Sequence, residues 1–264
     1  MQSKYFESFD KTRIAYIANI VPDSRAVLII HHGLTEHKGR YADFMSRLGD
    51  AGISSLAFDF RGHGKSGGKR GDIRKFSDLI SDLNLFIAMA KKEFPHQKVI
   101  LFGHSMGGLV ASEYAARHTM IDALILSSPS FFTAGKLKLL RFLPIFILRK
   151  IYIKKTYAES AEALAFALKD ENNTNRFALS LVKIALVNPP RRIIRNLKNI
   201  RVPLLLLGGA GDPLVKSGRF SELMKRFGTS DKTLKIYKNA KHRIVQNESA
   251  EESAKDIIGF ITRY

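Results

Sequence analysis

The stretch Val99-Ile100-Leu101-Phe102-Gly103-His104-Ser105-Met106-Gly107-Gly108-Leu109-Val110-Ala111 decides the fold. Four apolar residues without alternation run into Gly-His-Ser-Met-Gly, and a helix-compatible apolar stretch follows. That order reads as buried strand, sharp turn and helix, with a serine raised on the turn and flanking positions too crowded for side chains. Similar short apolar runs recur at 26–30, 54–58, 123–126 and 202–207, and a strand-like run follows at 233–237. Helix-like stretches lie between and after them, at 41–49, 76–94, 106–117 and 221–227. In the second of these, Leu79, Leu83, Phe86, Ile87 and Ala90 recur at helical spacing. Residues 249–264 close the chain, with Ser249 and Glu252 in the spacing of a capping box. KYFESF and TRIAYIA flank Asp10-Lys11 as an N-terminal hairpin. Strands alternating with helices predict an α/β fold with a mostly parallel central sheet and helices on both faces.

One region breaks the alternation. Residues 129–199 run from SPSFF through AESAEALAFALKD to NPPRRIIRNLKN and offer no strand in a β–α rhythm. They read as a mostly helical cap inserted between a first core segment, 1–128, and a second, 200–264.

A serine nucleophile needs a base, and the base needs an acid to orient it. On this kind of scaffold the chain order is Ser, then Asp or Glu, then His. Only His118 and His242 follow Ser105. His118 falls at the end of the helix after the turn, whereas His242 lies in a loop beyond the strand at 233–237. Asp212 follows the run at 202–207 through Gly-Gly-Ala-Gly. Asp231 competes with it but precedes its strand, at the opposite edge of the sheet. Ser105, Asp212 and His242 are therefore the expected catalytic set. Two backbone N–H groups are expected to hold the oxyanion, that of Met106 at the helix start and that of Leu34 in the loop His31-His32-Gly33-Leu34.

Other groupings are weaker. His31, His32 and His37 could suggest zinc, but adjacent histidines on a strand end point in opposite directions and no further Cys/His pair supports them. Gly62-His63-Gly64-Lys65-Ser66-Gly67 lacks the spacing of a phosphate-binding loop. No metal or organic cofactor is expected. The chain has no Cys, which excludes disulfides, a thiolate nucleophile and Cys-ligated zinc. That fits a reducing cytoplasmic location, and no signal peptide is visible at the N-terminus.

Taken together, HHGLTEHKGRY, FDFRGHGKSGGKRGDI, GHSMGG, the Asp after VPLLLLGG and NAKHRIVQNE resemble the monoacylglycerol lipase and lysophospholipase group of α/β-hydrolases. The resemblance covers residues 1–128 and 200–264. Its most specific part is His32-Gly33-Leu34-Thr35-Glu36-His37-Lys38-Gly39-Arg40-Tyr41. It implies the α/β-hydrolase fold, places the triad on Ser105, Asp212 and His242 and the oxyanion donors on Leu34 and Met106, and makes the insertion a lid over an acyl pocket. The implied reaction is hydrolysis of a lipid ester, foremost monoacylglycerol. A lysophospholipase and a broad carboxylesterase or thioesterase are the alternatives. A catalytically idle lipid- or nucleic-acid-binding protein on the same scaffold is disfavoured by the intact triad.

The chain carries 43 Lys and Arg against 24 Asp and Glu, a formal charge of +19. The cap holds 14 of the bases and only 4 of the acids, so it carries about half of the surplus. The densest part begins at Lys136 and ends at Lys155. Its longest uncharged run, 142–148, is far shorter than the ~20 residues of a membrane-spanning helix, and Pro144 should split it into two short helices. A basic segment rich in apolar residues suits peripheral contact with an anionic membrane. It equally suits a lid with solvated cations outside. Nucleic acid is disfavoured because no binding motif accompanies the charge. No oligomeric state follows from the sequence.

Overall fold

The computed structural model describes residues 1–132, 135–154 and 161–264. The N-terminal hairpin is β1 (Lys4–Glu7) and β2 (Arg13–Asn19). The core continues through β3 (Ala26–His31), α1 (Ala42–Asp50), β4 (Ser54–Phe58), α2 (Phe76–Glu93), β5 (Lys98–His104), α3 (Met106–Ala115) and β6 (Ala123–Ser127).

In the cap, a 3₁₀ helix at Gly135–Phe142 precedes α4 (Ile145–Leu148), and Pro144 separates the two. Then come β7 (Tyr152–Lys154), α5 (Ala161–Lys169), β8 (Arg176–Ala178), α6 (Leu179–Val182), a π-helical turn at Lys183–Val187 and α7 (Pro189–Asn196). The chain returns to the core with β9 (Leu204–Gly209), α8 (Phe220–Met224), β10 (Lys232–Tyr237) and α9 (Ala250–Ile261).

Among the described residues, eight strands form one sheet in the order β1-β2-β4-β3-β5-β6-β9-β10. β1 and β2 pair antiparallel, as do β2 and β4, and every later pairing is parallel. The apolar runs lack alternation because both faces of the sheet are covered. Val27, Ile29, Leu101, Leu124 and Leu204 pack on one side with α2, α3 and α7. Leu28, Ile30, Ile100, Phe102, Ile125 and Leu205 pack on the other with α1 and α9. The strand order reverses between β3 and β5, so the loops leaving these neighbours diverge and open a crevice at their carboxyl ends. The loops carrying Leu34 and Ser105 leave from that point.

Two local expectations need correction. The capping box does not form: Ser249 is not in the extended conformation of a side-chain cap, and its hydroxyl donates to the Ile244 carbonyl instead. The run at 202–207 enters the sheet only at Leu204, because Pro203 has no N–H for the ladder. Within the mostly helical cap, β7 and β8 pair antiparallel as a separate two-stranded sheet. Each has three residues, too few to show a period. Lys155, and Ala158 to Ser160 of the helix-compatible stretch, lie outside the described residues.

Candidate active site

Ser105 has φ 53° and ψ −114°, a conformation that costs energy for a residue with a Cβ. Three contacts hold it there. Its N–H donates to the Ser127 carbonyl of β6 at 2.9 Å, and its carbonyl accepts from the Gly108 and Ser130 N–H groups. Crowding explains the flanking glycines: a Cβ on Gly107 would lie 2.3 Å from the His31 carbonyl oxygen, and one on Gly103 would lie 2.6 Å from that of Gly107. The helix α3 begins at Met106, directly after the serine, so its first N–H groups have no partner within the helix.

The three side chains expected to act together are brought together. Ser105 Oγ is 3.0 Å from His242 Nε2, and His242 Nδ1 is 2.8 Å from Asp212 Oδ2. The other Asp212 oxygen accepts from the Leu214 and Val215 N–H groups at 2.8 and 2.9 Å. Burial pushes this carboxyl up, but hydrogen bonding and charge from His242, with the two N–H groups, hold it below its ordinary value. It is an anion, so His242 carries its proton on Nδ1 and offers a bare Nε2 to Ser105. Asp231 takes no part; it precedes β10 and accepts from the Tyr264 hydroxyl. His118 stacks on Tyr114 beyond the end of α3.

Leu34 lines the crevice beside Ser105 and His242. Its loop is fixed by Glu36, a buried side chain whose role the sequence did not reveal. One Glu36 oxygen accepts from the Gly33 N–H at 3.0 Å and from the Tyr41 hydroxyl at 2.8 Å. The other is 2.9 Å from Arg243 Nε. Burial raises the Glu36 pKa, yet His104 when protonated, the Arg243 charge and the Gly33 N–H outweigh it and hold the pKa below its ordinary value. One carboxylate thereby ties the Leu34 loop to the residue after His242. The cap is tied to the same loop: His37 Nε2 is 2.8 Å from Asp170, and the Thr174 N–H donates to the Thr35 carbonyl. Arg70 reaches the carbonyls of Glu171, Asn172 and Asn173.

The histidines considered for zinc are placed separately. His31 and His32 do not point to opposite faces; both rings pack on Phe60, because His32 lies past the end of β3 where alternation no longer applies. His32 bonds the Gly33 carbonyl and the Phe60 N–H, and His37 bonds Asp170. Among the described residues no cluster of His, Asp and Glu could hold a metal. The Gly-rich loop after β4 wraps a carboxylate rather than a phosphate: Asp59 accepts from Lys38 Nζ at 2.8 Å and from the Lys65 N–H. Gly64, at φ 51°, leaves room for it, since a Cβ there would strike the carboxylate.

Burial pushes His31 well below its ordinary pKa, His63 to about 3 and His104 to about 4. These groups are neutral when folded but take up protons near pH 6.5 when unfolded. Their contribution is therefore present above pH 6.5 and lost as pH falls towards 4. One such histidine costs about 1.4 kcal/mol per pH unit over that window. Thermal unfolding followed by circular dichroism is expected to show Tm falling by roughly 5–10 °C or more between pH 6.5 and 4.5. A Tm constant across that range would contradict this account of the buried histidines.

A cavity of about 250 Å³ opens at Ser105. Its apolar lining comes largely from the cap: Leu137, Ile153, Phe177, Val182 and Leu186. Thr35, Glu36, Ser130 and Arg243 are among its polar lining residues.

The sheet order, the turn at Ser105 and the capped crevice at the carboxyl ends of the strands are those of an α/β-hydrolase. The chain belongs to the family described as Serine aminopeptidase, S33, which matches residues 22–250, and within it to the monoacylglycerol lipase-like group of carboxylic ester hydrolases. It is 31% identical to the monoglyceride lipase of Rattus norvegicus over 228 residues, spanning 83% of this chain and 75% of that one. It is 27% identical to the monoacylglycerol lipase of Mycolicibacterium smegmatis over 251 residues, 92% of this chain and 90% of the relative. The crystal structure of the Paleococcus ferrophilus monoacylglycerol lipase superposes with a TM-score of 0.82 at 25% identity, covering 95% of this chain and 99% of that one.

Proposed function

We propose that this chain is a serine hydrolase that cleaves monoacylglycerol to glycerol and a free fatty acid. The observation that carries the reading is the unbroken hydrogen-bonded line from Asp212 through His242 to Ser105, set in a mostly apolar cavity. The apolar lining from the cap suits a single acyl chain, and polar lining residues such as Thr35 and Ser130 suit the glycerol hydroxyls.

In the proposed reaction Ser105 Oγ attacks the ester carbonyl carbon as its proton passes to His242 Nε2. The oxyanion is held by the N–H groups of Leu34 and Met106. When the tetrahedral species collapses, the bond to the alcohol oxygen breaks and His242 gives that oxygen the proton. Water then loses a proton to His242 and attacks the acyl-serine. The acid leaves as Ser105 Oγ recovers the proton. Asp212 holds the imidazole tautomer and stabilises its cation throughout.

The division into a catalytic core, 1–128 with 200–264, and a cap, 129–199, belongs to the same proposal, and the cap is its membrane-docking element. Leu139, Phe142, Phe146 and Ile151 are exposed, Phe142 by 78%, among Lys138, Arg141, Arg149 and Lys150. Exposed apolar side chains interspersed with cations along the chain fit peripheral contact with anionic lipid. The substrate would then reach the cavity beside Leu137 directly from the bilayer. Among the described residues no helix is long and apolar enough to cross a membrane.

A hydrolysis panel tests both parts. Monoacylglycerol, lysophospholipid, triacylglycerol and p-nitrophenyl acetate are presented in anionic and in neutral vesicles at low and high salt. Monoacylglycerol is expected to be preferred, with rates several-fold higher on anionic vesicles and the difference erased by salt. Preference for lysophospholipid would reassign the substrate. Preference for the acetyl ester, with none of the lipids cleaved, would reject the lipase reading. Indifference to lipid charge and salt would reject electrostatic docking.

A further inference from the structure

Ser130 lies just past β6, where the chain leaves the sheet for the cap, and it lines the cavity at the reacting centre. Its Oγ is 3.0 Å from Ser105 Oγ, the same distance as that from Ser105 to His242. Its own N–H donates to the Ser105 carbonyl at 3.1 Å, so two bonds fix it to the nucleophilic residue.

The direction of the hydroxyl–hydroxyl bond follows from the rest of the network. Asp212 receives two backbone N–H groups on one oxygen and His242 Nδ1 on the other, so Nδ1 holds the imidazole proton. Nε2 can then only accept. Ser105 has a single hydroxyl proton, and that proton is committed to Nε2. Towards Ser130, Ser105 Oγ is therefore an acceptor, and the donor is Ser130.

We propose that Ser130 is a further catalytic residue whose O–H donates to Ser105 Oγ and stabilises the negative charge that develops there. The inference rests on Ser105 being the nucleophile. The bond keeps the Ser105 O–H directed at His242 Nε2 in the resting enzyme. As Ser105 gives up that proton and attacks, its oxygen gains charge, and a hydrogen bond to a charged acceptor is roughly twice as strong as one between neutral groups. The gain is made in the transition state and not in the substrate complex, so it acts on kcat rather than KM. It recurs in deacylation, when Ser105 Oγ is the oxygen being expelled. Proton and electron accounting is unchanged, because Ser130 keeps its proton in both steps.

The test is the second-order rate constant for covalent labelling by a fluorophosphonate, with kcat and KM on p-nitrophenyl butyrate alongside. Ser130→Ala is expected to lower the labelling rate constant and kcat by about 5- to 20-fold with KM within twofold. Ser130→Thr, which keeps a hydroxyl, is expected to stay within about threefold of the parent. A Ser130→Ala rate constant within twofold of the parent, or faster, overturns the proposal, as does a Ser130→Thr loss equal to that of Ser130→Ala. A fall only in the fraction of protein labelled, with the rate constant of the remainder unchanged, is the mark of unfolding and also overturns it. Ser105→Ala is run in parallel: labelling that survives there refutes the nucleophile itself, whereas its absence there together with an unaffected Ser130→Ala refutes only the role of Ser130.

Discussion

Ser105→Ala is expected to lower kcat for ester hydrolysis by about 10⁴- to 10⁶-fold and to leave the fold intact. The magnitude follows from what the substitution removes. In the proposed mechanism the Oγ is the atom that bonds to the acyl carbon, and the substitution removes it from the end of the His242 hydrogen bond. Residual activity would come from the Leu34 and Met106 N–H groups acting on an attacking water. Stability should change little, because Ser105 holds a strained positive φ for the sake of its position, and its fixing contacts are made by the backbone. Steady-state hydrolysis of p-nitrophenyl butyrate, with a circular dichroism melt as control, checks both halves. Activity within tenfold of the parent would end the assignment.

The second large effect is expected from Asp212→Asn, on the order of 10⁴ in kcat. The local geometry forbids a harmless amide. Asp212 Oδ1 accepts from the Leu214 and Val215 N–H groups, so an amide must place its oxygen there. Its NH₂ is then turned to His242 Nδ1, which has to accept instead of donate. The imidazole proton moves to Nε2, and Ser105 loses its base. A proton NMR spectrum should show the downfield Nδ1–H resonance vanish as kcat falls. If kcat falls by less than about tenfold, tautomer control by Asp212 is not the reason for its place in the site.

The turn and its partners were legible because they are local events. A strand, two crowded glycines and a helix start are contiguous in sequence, and Asp212 and His242 each follow their own strand. The sheet was legible because the short length and spacing of the apolar runs favour strands over buried helix, and strands covered on both faces carry no alternation. What escaped depends on contacts between distant segments. Glu36 was visible within the most specific block, but its bond to Arg243 joins residues 207 positions apart in the chain, and nothing local announces it. Ser130 stands in an ordinary Ser-Ser-Pro-Ser stretch; it becomes significant only because β6 is the neighbour of β5 and delivers it to Ser105. The capping box had the right spacing, yet the Ile244 carbonyl claimed the Ser249 hydroxyl first. The two short strands of the cap were invisible because three residues cannot establish a period. The charge surplus, by contrast, gained meaning from position alone: in the cap Arg141 and Arg149 flank the exposed Phe142 and Phe146 along the chain.

The central claim is that Ser105 carries the acyl group. Peptide mass spectrometry after brief incubation with a fluorophosphonate locates the adduct residue by residue. The account predicts a single modified peptide with the phosphonyl group on Ser105, lost in Ser105→Ala and kept, at a slower rate of formation, in Ser130→Ala. An adduct on Ser130 or elsewhere, or a parent protein that hydrolyses esters without ever being modified, would contradict it.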